Sequence, residues 1–152
     1  MPLPYEDISP VMFHGAVAAL KVGGQVYAHM TDWSITVNFS TASAQCCGNH
    51  IDEGNTITGK TVSMSASSLK TKDTTKTAVA LGMVPRYDSK SILSFLHQDA
   101  VIEDVSVEPL VVIGKVIGAL VQSYDPCSGS ARGLATTRLT WTALNFKDAA
   151  EL

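Results

Sequence analysis

The sequence predicts a mainly β protein, a β-sandwich or barrel with one flanking α-helix. Three observations carry this. Runs at 34–39, 58–69, 115–124 and 134–144 alternate apolar and polar residues, the period of a strand with one buried face. Turn residues separate these runs at close intervals, as in packed antiparallel strands. Only 88–98 shows helical spacing of its apolar residues.

In chain order, residues 1–14 read as an N-terminal arm. Pro2, Pro4 and Pro10 remove ladder donors there, so the arm is a candidate tether to a neighbour. Two β-prone runs, 16–22 and 25–30, flank Gly23 and Gly24, a hairpin signal because tight turns need positive φ. In the next run Ile35, Val37 and Phe39 share one face, and Ser34, Thr36 and Asn38 the other. Alternation then lapses over 40–57, predicting a long loop, and loops of that length are usually functional or disordered. It resumes with Val62, Met64 and Ala66 opposite Thr61, Ser63, Ser65 and Ser67. That second face is uncharged, where a solvent-facing strand usually carries Lys and Glu.

Residues 71–76 read as a polar turn, and 77–84 as an apolar strand ended by Pro85. Asp88 is a candidate N-cap for the helix over 88–98. Ile92, Phe95 and Leu96 form its packing stripe, since so short a helix must lie on the sheet. The run 115–124 places Ile117, Ala119 and Val121 on one side, and 125–130 is turn material. The last strand sets Thr137, Leu139, Trp141 and Ala143 against Thr136, Arg138, Thr140 and Thr142. The β domain thus spans 15–146, with 147–152 as a frayed tail.

The 152 residues suffice for one domain. Only 16% are charged, against about 25% typically, as expected if surface is buried against other subunits. A net charge of −3 leaves no basic excess to neutralise phosphates. The N-terminus has no secretory pattern. The longest apolar stretch falls short of the roughly 20 residues of a membrane-spanning helix. A cytoplasmically made protein with no membrane partner is expected.

No chemistry stands out. Cys46, Cys47, His50 and Asp52 are metal-ligand types, but adjacent cysteines are poorly spaced for one tetrahedral ion. Sequence order selects no partner for a Cys nucleophile among His14, His29, His50 and His97. Thr58, Gly59, Lys60 and Thr61 are similar to the end of a phosphate loop, yet a strand follows rather than a helix. No catalytic residue, metal or cofactor is expected. Trp33 and Trp141 read as core or interface aromatics.

The hairpin at 20–28 with the strand after it, the long loop returning through 59–69, and the ending 114–124 with 133–142 resemble phage major tail (tail-tube) proteins and related injection-machine tubes. The helix lies between the second and third regions, as in that family. The resemblance implies rings, usually of six subunits, whose long hairpins join into one β-barrel around a lumen. It implies a structural, non-enzymatic role as a conduit for DNA, which passes without specific binding. Partners would be further copies, tape measure, terminator, baseplate and sheath proteins, in a virion tail assembled in the host cytoplasm. Thr36, Asn38, Ser63, Ser65 and Ser67 would face the lumen. Gln45, Cys46, Cys47, Asn49, His50, Asp52 and Glu53 would reach a neighbour. Alternatives are a tail terminator, a decoration or baseplate-hub part, or an injection-system tube carrying protein. Outside that class stand a small-ligand β-barrel and a Cys/His enzyme.

Overall fold

The computed structural model describes residues 13–44, 47–48, 54–85, 90 and 95–152. Eight strands form one antiparallel sheet, ordered β2-β1-β5-β6-β7-β4-β3, with β8 on β6. They are β1 (Ala18–Val22), β2 (Gln25–Val26), β3 (Met30–Ala44), β4 (Gly54–Leu69), β5 (Gln98–Asp104), β6 (Val111–Ser128), β7 (Thr136–Ala143) and β8 (Asn145–Asp148). The sheet does not close within the chain. Its two layers share β6, whose first part pairs with β5 and β8 and whose second part pairs with β7.

The predicted hairpin is β1–β2, turning at Gly23 (φ 59°) and Gly24 (φ 82°). β3 and β4 pair from Met30–Ser68 to Ala44–Gly54. This corrects the expected loop over 40–57: residues Ser40 to Ala44 and Gly54 to Ile57 are hairpin arms. They do not alternate because both faces there are exposed, and backbone pairing asks nothing of the side chains.

Two predicted strand details change. Residues 77–84 are a turned segment, in which the Leu81 N–H donates to the Thr77 carbonyl and Met83 to Ala78. The Ala80 N–H donates to Thr77 Oγ1 at 3.2 Å, a cap that starts a helical turn, and Ala78, Met83 and Val84 are buried. Residues 125–128 are strand rather than turn, with Pro126 in an irregularity between the pairs Asp125–Arg138 and Ser128–Thr136. Bulges and edges are where a strand tolerates proline.

The expected helix over 88–98 lies largely outside the described residues. Lys90 is helical, but 95–97 have no regular structure and Gln98 opens β5. Of the expected packing stripe, Phe95 is half-buried and Leu96 is 77% exposed. The expected tail is also partly ordered: Lys147 and Asp148 pair with Lys115 and Gly114 on β6.

The core lies between the layers, built from Leu20, Val22, Met64, Ala100, Ile102, Val116, Leu139 and Trp141 among others. Tyr27 meets Trp141 edge-on, centroids 6.2 Å apart, and its hydroxyl donates to the Thr137 carbonyl. Burial holds that phenol above its ordinary pKa. Of the predicted β6 row Ile117, Ala119 and Val121, Ala119 is in the core and Val121 packs against it, but Ile117 gives way to Val116, so Val116 and Ala119 face the core together. Gly118, at φ 67°, shifts the parity between them.

Two exposed turns are tied by carboxylates. Asp73 accepts from the N–H and hydroxyl of Thr75 at 3.0 and 2.6 Å, and Asp104 from those of Ser106 at 2.9 and 2.6 Å. These bonds hold both carboxyls below the usual range. A depressed folded pKa adds stability that is present above the unfolded pKa of about 4 and lost as pH falls through the folded value. Denaturant titrations at stepped pH should therefore show a shallower acid decline for an Asp73→Ala/Asp104→Ala double variant than for the parent. Equal slopes below pH ~4 would remove this role.

Candidate functional site

Three cross-strand registers build the most distinctive surface. Asp32 stands opposite Ser67, Ser67 opposite Arg138, and Arg138 opposite Asp125. The next row is Ser34, Ser65, Thr140 and Ser123; then come Thr36, Ser63, Thr142 and Leu120. Asn38 and Thr61 extend the face along the hairpin. Their neighbours in sequence, Val62, Met64, Ala66, Leu139 and Trp141, are buried on the opposite side. Alternation thus makes one four-stranded layer apolar inside and hydroxyl-rich outside.

All five residues expected to face a lumen, Thr36, Asn38, Ser63, Ser65 and Ser67, stand on this one face. Ser34 Oγ and Ser65 Oγ are 2.8 Å apart, and Arg138 Nη2 donates to Ser65 Oγ at 3.5 Å. The charges on the face, Asp32, Asp125 and Arg138, all lie in its first row. The β7 contribution was legible in the alternation of 136–142. Asp125 was not, because Pro126 and Gly129 mark 125–130 as a turn. Ser123 was not, because alternation places it on the side of Ile117, Ala119 and Val121, and only the irregularity between Val121 and Ser123 moves it to this face.

Two strand edges flank the layer. β3 pairs only with β4 among the described residues. Among the described residues the β6 segment from Leu120 to Ser128 pairs only with β7, since β5 and β8 reach no further than Ala119 and Ile117. Three antiparallel steps separate these edges, so they run in opposite directions. Copies laid side by side in one orientation would place β6 antiparallel against β3.

Of the expected inter-subunit loop residues, Cys47 is described and exposed at the hairpin tip. Gln45, Cys46, Asn49, His50, Asp52 and Glu53 lie outside the described residues, as does Ile92 of the expected helix stripe. Among the described residues, no group of three His, Cys, Asp or Glu side chains is placed to hold a metal ion. No helix there is long and apolar enough to cross a membrane.

No protein-family model and no curated protein matches the chain. Solved structures do. The tube-terminating cap of the anti-feeding prophage aligns over 97% of this chain and 93% of its own, with TM-score 0.67 and 14% identity. The fold is that of tail tubes. The tail-tube fold recurs in an extracellular contractile injection system, the PVC sheath–tube complex, at TM-score 0.66 and 11% identity over 92% and 94% of the two chains. It recurs again in the tail of an empty gene transfer agent particle with C6 symmetry, at 0.58 and 15% identity over 90% and 98%. In this chain the long β3–β4 hairpin and the β6–β7 pair make the hydroxyl-faced layer.

Proposed function

We propose that the chain is a structural subunit of a phage-type tail tube, assembling into stacked rings of six around a lumen that conducts DNA. One observation carries this reading: a four-stranded layer with a hydroxyl face and two edges, running in opposite directions, that are unpaired among the described residues. Pairing β3 of one copy with β6 of the next would continue the sheet from subunit to subunit and close it as a ring. Closure removes edges that otherwise invite uncontrolled pairing. The hydroxyl face would then line the channel. With one cation among two carboxylates, such a wall has no charge excess to hold phosphates, so a polyanion would pass without being retained.

The neighbours in fold are tail and tube parts, which supports a non-enzymatic role in a tail assembly. Sheath, baseplate, tape-measure and terminator proteins are the partners of this reading, and a virion tail assembled in the host cytoplasm is its location. A tube terminator is the second reading, favoured by the likeness to a tube cap over nearly the whole chain. Negative-stain imaging of the purified protein separates the two, because a tube subunit stacks into open tubes and a terminator stops at single rings.

The wall is tested by a Ser65→Cys variant in a chain whose own Cys46, Cys47 and Cys127 are serine. A maleimide too bulky to enter the tube should leave Cys at 65 unlabelled in intact tubes and label it in dissociated subunits. Equal labelling in both states, away from tube ends, would place this face outside.

A further inference from the structure

The side of β3 that faces away from the hydroxyl rows is apolar and incompletely covered. Trp33, Ile35 and Val37 are half-buried, and Phe39 is 59% exposed. Exposure grows along the strand because β7 ends at Ala143, opposite Val62, while the hairpin continues. Ile57, 64% exposed, stands across from Thr41 just beyond Phe39. At the other end Trp33 and Ile35 share a cleft of about 220 Å³ with Ile113 and Phe146. That cleft is the open mouth between the two layers.

From this we infer that a second copy of the chain, seated across the β3 edge, covers the strip of Trp33, Ile35, Phe39 and Ile57 and closes the mouth of the cleft. The inference rests on the tube reading and names the surface through which ring neighbours hold one another. The strip belongs to the same strand as the free edge, so a copy that pairs with the edge necessarily lies beside it. What arrives behind the incoming β6 is the apolar side of that copy's own layer, where Tyr124 stands half-buried opposite Leu139. Apolar surface therefore meets apolar surface, and the hydroxyl rows stay continuous on the opposite side. Lys60 stands opposite Phe39 and Thr41 opposite Ile57, so the exposed apolar side chains are rimmed by polar ones, as at interaction sites. Each subunit thus completes its neighbour's core, and strand pairing is only the inner half of the contact.

The test compares the full chain with a Phe39→Ser/Ile57→Ser variant by mass photometry across a concentration series, with urea unfolding of the dissociated subunits. Removing two buried apolar side chains should raise the concentration needed for assembly by at least about tenfold, while the urea midpoint of the subunit stays that of the parent. Assembly of parent and variant at the same concentration would overturn the inference and leave the tube reading standing. A lowered urea midpoint would also overturn it, since the two residues would then serve their own subunit's core. A parent chain that stays monomeric at every concentration would overturn the tube reading and the inference with it.

Discussion

Replacing Trp141 with alanine should destabilise the subunit by about 3–5 kcal/mol, the usual cost of deleting a buried Trp or Phe side chain. Trp141 is 1% exposed on the central strand of the hydroxyl-faced layer, opposite Met64 on one side and Val121 on the other. It also meets the edge of Tyr27 across the core. Its loss leaves a cavity that the sheet cannot collapse around without shifting β4, β6 and β7 together. Among the described residues its indole Nε1 has no hydrogen-bond partner. A Trp141→Phe variant therefore gives up no bond and should lose clearly less than the alanine variant. Urea midpoints with a constant denaturant slope measure both. A phenylalanine variant as unstable as the alanine one would mean that the indole nitrogen is paired after all.

Gly118→Val should cost about 2–4 kcal/mol, from a left-handed backbone and local overpacking. Gly118 sits at φ 67°, where a β-branched residue is strained whatever the space. A Cβ there would also lie 2.6 and 2.8 Å from side-chain atoms of Leu144. The consequence reaches beyond one residue, because this is where β6 leaves β5 and β8 and joins β7. The Gly118 N–H donates to Asp99 Oδ1 at 3.1 Å, and the Leu144 N–H donates to the Ile117 carbonyl at 3.0 Å. The corner is thus tied to both layers. Pairing Gly118→Val with Leu144→Ala separates the causes: the clash is relieved and the backbone strain remains. Thermal melts of the single and double variants should differ only in part. Full recovery in the double variant would show the clash, not the φ angle, to be the source.

The hydroxyl face was legible in the sequence for one reason. Ser63, Ser65 and Ser67 alternate with Val62, Met64 and Ala66, and a pleated strand sends neighbours to opposite faces. Where pairing extends past the core, that signal vanishes. Ser40 to Ala44 are strand with both faces open, so nothing forces alternation and the arms read as loop. The segment at 77–84 failed differently. An apolar run that short fits a buried strand or a helical turn equally, and the Thr77 cap decided it.

The sequence by itself determined that this chain is mainly β, that one face of several strands is rich in hydroxyls, and that Gly23–Gly24 turns a hairpin. These follow from residues a few positions apart. Only the tertiary structure decided which strands lie side by side. It aligned Ser34, Ser65, Thr140 and Ser123 in one row, and among the described residues it left the edges of β3 and of β6 beyond Ala119 unpaired. Register between strand neighbours that lie far apart in the chain is set by how the apolar faces pack, with Trp141, Met64 and Leu139 inside. No local pattern encodes that sum, and the polar rows outside follow from it.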